Sequence, residues 1–235
     1  DFGTSDRNNI NIGYQIGRRI KPSLMIALPT FILGILTEVT LAMLLAYFRQ
    51  TYVDYLGVIL CVIMMSVSSL FYIIGGQYFF GKILRLFPIS GYDTGILALK
   101  FTALPVLIGI VAELGGAIRF NRTIFLEEIN KDYIRTARSK GLPEEAVLFK
   151  HCLKNGLIPI LTTVVMSIPF LFMGSLLMES FFAIPGLGSF TIDAIQAQDF
   201  AIVRSMVYLG SILYICGLIL TDISYTLVDP RIRFE

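Results

Sequence analysis

Two carboxylates in this sequence lie inside long apolar stretches, where an ionised side chain is costly. Glu38 lies within the apolar stretch 23–48 and Glu113 within the apolar stretch 96–118. A charged side chain at the centre of a membrane costs about 2.5–3.5 kcal/mol on insertion scales, so we expect it to face a cavity or a partner helix. Glu38 therefore has two interpretations: a pathway carboxylate that meets a substrate amine, or a structural hydrogen bond between subunits. Glu113 lies nearer the end of its stretch, where it can reach water.

The residue types that usually hold metals or act as nucleophiles are scarce. The chain has one histidine, His151, and its three cysteines (Cys61, Cys152 and Cys216) lack the spacing of zinc ligands. The phosphate-binding pattern G-x-x-x-x-G-K-[ST] is absent from the sequence. We therefore expect no metal site, no cofactor held by this chain and no covalent chemistry.

The composition predicts an integral membrane protein. Of 235 residues, 55% are apolar and 15% are charged, against about 25% charged in typical globular domains, and the mean hydropathy is +0.75. A spanning helix needs roughly 20 apolar residues, and only helices and closed barrels satisfy their backbone in lipid. We predict an all-α membrane protein, a polytopic helical bundle with spans at residues 23–48, 55–80, 96–118, 156–178 and 205–228.

The basic residues predict the orientation of these spans. Eight of the nineteen lysines and arginines lie in residues 119–155, so we place this loop in the cytoplasm. Alternation then puts the carboxyl end in the cytoplasm and residues 1–22 outside, as a polar segment before a transmembrane domain of residues 23–235. That outer segment nevertheless carries four basic residues, which favour a cytoplasmic location. An additional helix upstream would override their effect on orientation. We expect Asp1 to be the cut end of a longer subunit.

The basic loop 119–155 has the pattern of two short amphipathic helices. Apolar residues recur at three- and four-residue steps from Ile124 to Ala137, and Glu127 and Lys131 form a helix-supporting i, i+4 pair. Gly141 breaks the pattern, and Pro143 is well placed to start the second helix. Periodicity alone leaves two interpretations open: helices lying on lipid headgroups, or a docking surface for a partner protein.

Motifs along nearly the whole chain resemble those of one protein family and occur in the same order as in that family. Residues 132–142 read Asp-Tyr-Ile-Arg-Thr-Ala-Arg-Ser-Lys-Gly-Leu, with Lys150-His151, Lys154-Asn155 and Pro159 after them. This segment resembles the coupling loop of ABC-transporter permeases, most closely the dipeptide, oligopeptide and nickel importer branch. Other parts of the chain resemble the family's segment before its second helix, its outer loop and its carboxyl end: Asp1-Phe2-Gly3-Thr4-Ser5, Gly174-Ser175-Leu176-Leu177, Glu179, Phe182-Ala183-Ile184-Pro185-Gly186-Leu187-Gly188, and Asp222, Tyr225 and Asp229-Pro230-Arg231-Ile232-Arg233.

The resemblance implies a six-helix permease subunit of which five spans are visible here, in a bacterial or archaeal plasma (inner) membrane. Its partners would be a second homologous permease subunit, two ATP-binding subunits, an extracytoplasmic substrate-binding protein and membrane lipids, with no nucleic acid. The chain itself would be non-catalytic and hold no cofactor, because ATP and Mg are bound by the ATPase subunits. The transported solute would be a peptide or a related compound.

Within such a subunit, candidate residues can be assigned to roles. Coupling to the ATPase would involve Gly141 at the bend, apolar residues that fill a groove on the partner, and basic residues that pair with its acids or with headgroups: Tyr133, Ala137, Leu142, Val147, Arg135, Arg138 and Lys140. The translocation pathway would include Thr37, Glu38, Ser167 and Gly174. At the outer side, Glu179 would anchor the loop that contains Pro185, Gly186 and Gly188.

Two other functional classes are weighed against the importer. An ion-coupled secondary transporter or channel would use Glu38 and Glu113, but such folds usually show internal repeats, and this sequence shows none. A membrane-embedded enzyme would need paired histidine, aspartate or cysteine residues at mid-depth, which His151 does not supply. Co-purification with ATPase subunits would favour the importer, and solute movement by the chain alone down an ion gradient would favour the secondary transporter.

Overall fold

A computed structural model describes residues 2–93 and 98–228 of the chain. Within these residues, four helical runs are long and apolar enough to cross a membrane: Ile12–Tyr47, Ala98–Ile129, Glu144–Phe181 and Phe200–Ser224. A fifth crossing is possible if a bent pair of helices is counted as one span. The expected all-α polytopic architecture is confirmed. The predicted landmarks at Asp1 and at residues 229–233 lie outside the described residues.

The first long helix, α1 (Ile12–Tyr47), begins eleven residues before the predicted span. Asn11 caps it, since its side-chain oxygen accepts a hydrogen bond from the Tyr14 backbone N–H at 3.0 Å, a role that asparagine fills well. A single antiparallel bridge joins Thr4 to Asn11 just before the helix. Residues 12–22, predicted as part of an outer segment, are therefore the first three turns of α1.

The second apolar stretch is bent, whereas the sequence predicts one straight span at residues 55–80. It forms α2 (Tyr52–Ser66) and α3 (Ser69–Gly76), the latter continuing as a π-helical turn over Gln77–Ile83. The two arms meet at 91°, because Val67 takes an extended conformation. The Tyr72 hydroxyl donates to the Met64 carbonyl at 2.9 Å across the bend. No proline or glycine marks this break in the sequence.

The predicted cytoplasmic loop is almost entirely helical. Helix α4 (Ala98–Ile129) extends well beyond the predicted span end at residue 118, and α5 (Asp132–Ser139) follows after a two-residue break. The chain then runs helically through α6 (Glu144–Ala146), a π-helical stretch and α7 (Leu153–Ser167). A 3-10 turn (Ile168–Met173) follows, and then come α8 (Leu176–Phe181), α9 (Leu187–Gln196) and α10 (Phe200–Val228).

The helices pack around three apolar clusters placed along the bundle. The end of the bundle that carries residues 119–155 is called the coupling end below. One cluster lies there and joins α1, α4, α5 and the start of the 144–181 run. A second cluster joins α1, α3 and α4 to α8 and the residues after it, and a third joins the start of α1 to α9 and α10. The coupling end therefore has a core continuous with the spanning helices.

Candidate functional site

The connection between α5 and α6, residues 139–145, is called the coupling turn below. Gly141 within it has a φ of +77°, a conformation that L side chains rarely adopt. A Cβ built on Gly141 would meet no atom within 4 Å, so the constraint on this position is backbone conformation alone. The bend predicted at Gly141 is present in the structure.

Ion pairs close the coupling turn from both sides. The Arg138 guanidinium donates from Nε and Nη2 to the two carboxylate oxygens of Glu144 at 3.0 and 2.6 Å. The Arg49 guanidinium, just after α1, approaches the same carboxylate at 3.9 Å. The hydrogen bond that Arg138 donates to Glu144 raises the pKa of Arg138. Arg138, predicted to pair with a partner or with headgroups, is thus already paired within the chain.

A second set of polar contacts fixes the start of α5. Glu128, which is buried, accepts from the Tyr133 hydroxyl at 2.5 Å and pairs with Lys131. Burial and the bond to Glu128 raise the pKa of the Tyr133 hydroxyl. The predicted i, i+4 pair of Glu127 with Lys131 is not formed, because Lys131 precedes α5 and turns towards Glu128 instead. The helix of residues 124–137 expected from periodicity is therefore two helices with a polar joint.

The apolar residues predicted to fill a partner's groove divide into two groups. Ala137 and Val147 are buried in the chain's own core, at 5% and 0% exposure, and Tyr133 is partly buried against it. This corrects the docking assignment for those side chains, which instead position the loop. Leu142 remains exposed at 39%. Periodicity identifies an apolar face but not whether that face packs inward or outward.

The surface around the coupling turn carries exposed basic and apolar residues, with the exposed acids Asp132 and Glu145 among them. Arg135 and Lys140 are exposed, and Arg135 makes a distant contact of 3.8 Å to Asp132, which is also exposed. Phe149, at 59% exposure, stands on the same loop and was not singled out in the sequence. The signal that would have identified Phe149 is a large aromatic residue between the buried Leu148 and the basic Lys150.

Between the helices lies a cavity of about 690 Å³, lined by α1, α3, α4 and the 144–181 run. Three of the four predicted pathway residues, Glu38, Ser167 and Gly174, line this cavity, and Glu113 joins them. Thr37 is not among the lining residues, and its hydroxyl donates to the Leu33 and Gly34 carbonyls on its own helix. A cavity of this volume lies within the range of small-molecule sites.

Glu179 joins the outer loop to the first helix by accepting several hydrogen bonds. Its carboxylate accepts from the backbone N–H groups of Ser189 at 3.0 Å and Ser175 at 3.3 Å, and from the Ser23 hydroxyl and the Gly188 N–H. The side chain is 1% exposed. Ser23 also accepts from the Leu187 N–H at 2.8 Å. The geometry agrees with the predicted anchoring of the following loop by Glu179.

Three glycines allow close packing around Glu179, and we call them the Glu179 cradle: Gly174, Gly186 and Gly188. A Cβ on Gly174 or Gly186 would overlap the Glu179 carboxylate, and one on Gly188 would stand 2.6 Å from the Ser175 carbonyl carbon. Gly174 also has a φ of +70°. Gly174 therefore serves Glu179 as well as lining the cavity. Pro185 precedes the cradle without contributing a donor, since proline has no N–H.

The amino-terminal residues are joined to α10 by a contact that the sequence did not reveal. Asp199, 3% exposed, accepts from the Ser5 hydroxyl and from the backbone N–H groups of Asp6 and Ile202, each at 3.3 Å. Burial raises the pKa of Asp199, but these hydrogen bonds outweigh it and hold the pKa below its usual value. The partners are about 194 positions apart in sequence, which hides the contact from local patterns.

Another long-range pair stiffens the coupling end. Arg122 on α4 donates from Nε and Nη2 to the two carboxylate oxygens of Asp54 on α2, both at 2.7 Å. Asp54 also accepts from the Gln50 backbone N–H at 3.1 Å. The two residues are 68 positions apart, so local sequence patterns do not connect them. This pair joins the start of α2 to the helix that leads into the coupling turn.

Comparison with known proteins places this architecture among transport proteins. Residues 22–234 match the family described as the inner membrane component of binding-protein-dependent transport systems. Similar relatives include a putative peptide transport system permease protein of Brucella abortus, 33% identical over all of this chain and 76% of the relative. The oligopeptide transport system permease protein AppB of Bacillus subtilis is 32% identical with the same coverage. The dipeptide transport system permease protein DppB of Lactococcus lactis is 33% identical over 99% of this chain and 76% of the relative.

Proposed function

The chain belongs to the family of binding-protein-dependent transport system inner membrane components, so it is a multi-pass membrane subunit of an ABC importer, and we propose that this importer carries peptides or related solutes. The three relatives described above are each named for peptide, oligopeptide or dipeptide transport. Their similarity extends over nearly the whole chain, including the cavity and the coupling turn. We propose further that this subunit forms half of the translocation pathway.

The observation that carries the mechanism is the build of the coupling turn. Its base is fixed by the Arg138–Glu144 pair and by the buried side chains of Ala137 and Val147. Its outer side presents Leu142 and Lys140 to the surroundings, and Arg135 is exposed on the preceding helix α5. A rigid base with an exposed basic and apolar side suits a surface that receives force from a partner. We propose that an ATPase subunit docks there.

Force applied to the coupling turn has a direct mechanical route into the bundle. Helix α5 packs on the cluster that includes the end of α1 and the end of α4. Both of those helices also line the cavity, through Glu38 and Glu113. Displacement of α5 would therefore shift the two helices that carry the cavity's carboxylates. ATP and Mg would be held by the ATPase subunits, and this chain would bind neither and catalyse no reaction.

The proposed assembly contains a second homologous permease, two ATP-binding subunits and an extracytoplasmic binding protein, all embedded in or attached to a bacterial or archaeal plasma membrane. The eight basic residues of the coupling end support a cytoplasmic location for it. The carboxyl end would then also face the cytoplasm. No nucleic acid takes part in this function.

Cross-linking tests the docking proposal directly. A Leu142→Cys variant, with the exposed Cys216 replaced by serine, is expected to cross-link to a co-purified ATPase subunit through a short thiol-to-amine reagent. Leu177→Cys, exposed to a similar degree at the opposite end of the 144–181 run, is the matched control and should not cross-link to it. Cross-linking from Leu177 but not Leu142 would contradict the docking proposal.

A transport assay with the assembled complex tests the function itself. Reconstituted with its partners, the complex is expected to take up dipeptides when ATP is present. The Gly141→Val variant should retain ATP hydrolysis but lose most uptake, because the distorted turn no longer transmits movement. Wild-type uptake by Gly141→Val, or uptake by the chain alone along an ion gradient, would contradict the proposal.

A further inference from the structure

As far as the structure describes the chain, the walls of the cavity carry carboxylates and no basic side chain. Among its lining residues, the titratable groups are Glu38, Glu113 and Glu179, and lysine, arginine and histidine are absent. The rest of the lining is apolar or carries hydroxyl groups. Since clefts lined by one sign of charge with apolar walls concentrate ions of the opposite sign, this cavity attracts cations.

Only two of the three carboxylates are available to a solute. Glu179 already accepts hydrogen bonds from Ser23, Ser175, Gly188 and Ser189 and is 1% exposed. Glu38 is only partly buried and receives a side-chain hydrogen bond from Asn121. An ionised carboxylate has about four acceptor positions, so Glu38 retains capacity. Glu113, on the facing helix α4, is exposed.

The hydroxyl groups of the wall add acceptors rather than donors. Thr30 donates its proton to the Ile26 carbonyl at 2.8 Å, and Thr163 donates to the Ile160 carbonyl at 2.8 Å. The Ser167 hydroxyl donates to the Thr163 carbonyl, also at 2.8 Å. A hydroxyl has one proton and two lone pairs. With their protons engaged within their own helices, these groups present lone pairs to the cavity.

We propose that this cavity is a binding site on the translocation path for solutes that carry a protonated amine, held by Glu38 and Glu113. A primary ammonium group has three donors and no acceptor, which complements a wall of carboxylates and hydroxyl lone pairs. The apolar remainder of the lining receives the rest of the solute. The inference rests on the proposed function, because it takes the cavity as part of the solute's route.

A thiol placed in the cavity measures its preference for charge. Ser167→Cys, combined with Cys216→Ser, is introduced into the transporter assembled with its partners and reconstituted in nanodiscs. Its reaction rate with a methanethiosulfonate ethylammonium reagent is compared with that of the ethylsulfonate reagent, each divided by the rate for 2-mercaptoethanol. The corrected ratio is expected to favour the cation by about tenfold, the lower end of the focusing effect of a charged cleft. Thr163→Cys reports on the same cavity if Ser167→Cys does not assemble.

Removal of the carboxylates tests which residues create the preference. Glu38→Gln and Glu113→Gln are each expected to lower the corrected ratio, and the double variant to bring it close to one. Glu127→Gln makes the same change on α4 at an exposed position outside the cavity, and should leave the ratio unchanged. Glu38→Asp, which keeps the charge, should retain most of the preference. An unchanged ratio in the double variant would overturn the inference.

Protection by solutes separates this inference from the proposed function. Alanyl-alanine is expected to slow modification of Ser167→Cys at concentrations where N-acetyl-alanyl-alanine, which lacks the ammonium, does not. Equal protection by both peptides would overturn the role of the amine while leaving peptide transport standing. A cation preference that depends on Glu38 and Glu113, in a complex that takes up no peptide, would instead contradict the proposed function alone.

Discussion

Arg138, near the end of α5, holds Glu144, at the start of α6, through two hydrogen bonds that run side by side from Nε and Nη2. The bonds span the turn at Gly141 and join its two ends within the chain. Bidentate pairs of this kind impose geometry as well as attraction. The coupling turn is therefore a preformed loop whose shape the chain itself maintains.

Replacement of Arg138 by lysine is expected to loosen the coupling turn. Lysine keeps the charge but presents a compact ammonium that cannot make the two-pronged contact. Hydrogen exchange of residues 139–146 should quicken in Arg138→Lys. The matched control, Arg135→Lys, changes an exposed arginine with only a distant partner, and should leave exchange in the turn as it is. Similar exchange in both variants would show that the paired geometry is not what holds the turn.

Substitution of Gly141 by alanine isolates the effect of backbone conformation. A left-handed conformation costs a non-glycine residue about 1–2 kcal/mol, and no neighbouring atom obstructs a Cβ here. We expect Gly141→Ala to lower peptide uptake per ATP hydrolysed. Gly116→Ala adds the same methyl group to open space within α4 and should leave coupling intact. Equal effects at the two positions would refute the conformational argument.

Crowding of the Glu179 cradle should destabilise the outer loop. In Gly174→Ala the backbone keeps a positive φ that strains an alanine, and the new methyl group overlaps the Glu179 carboxylate. Overpacking of this kind costs about 1–3 kcal/mol. Gly3→Ala has a similar φ of +75° but open space around its Cβ, so it carries the strain without the overlap. Thermal unfolding of the purified complex should show a larger fall in midpoint for Gly174→Ala. A smaller fall than in Gly3→Ala would contradict the cradle.

The contact between Ser5 and Asp199 should weaken at acid pH. Because hydrogen bonds lower the pKa of Asp199 in the folded state, its ionised form is the one that folding favours. The contribution is complete above the unfolded value of about 3.9 and declines as pH falls through the lower folded value. Proteolysis of residues 2–10 in the purified complex should therefore increase below about pH 4. Asp199→Asn should remove this dependence, whereas Asp193→Asn, a change at an exposed aspartate on α9, should preserve it.

Local sequence rules account for the features that depend on neighbouring residues. Gly141 has the conformation that a break in an amphipathic pattern predicts, and Glu179 anchors the loop after it as expected. The helical class follows from the length of the apolar stretches. The bend at Val67 was missed because the sequence around it has neither proline nor glycine, so the break depends on packing and on the Tyr72 hydroxyl.

Contacts between distant positions lie beyond those rules. Asp54 looks like an ordinary helix-start acid until α4 brings Arg122 to it. Ala137 and Val147 lie on the apolar faces of two successive helical segments, but only the positions of α1 and α4 determine that these faces are covered. The choice of Glu128 over Glu127 as the partner of Lys131 likewise follows from where α4 ends.

The bend between α2 and α3 has a consequence for the surrounding lipid. With 15 residues, α2 measures about 22 Å, whereas the hydrocarbon core of a bilayer is about 30 Å thick. Upright in a bilayer, an arm this short before a right-angle turn would create hydrophobic mismatch, which neighbouring lipids would relieve by thinning locally. Acyl-chain length in the host membrane would then determine how stably this arm is held, with longer chains straining it and shorter chains relaxing it.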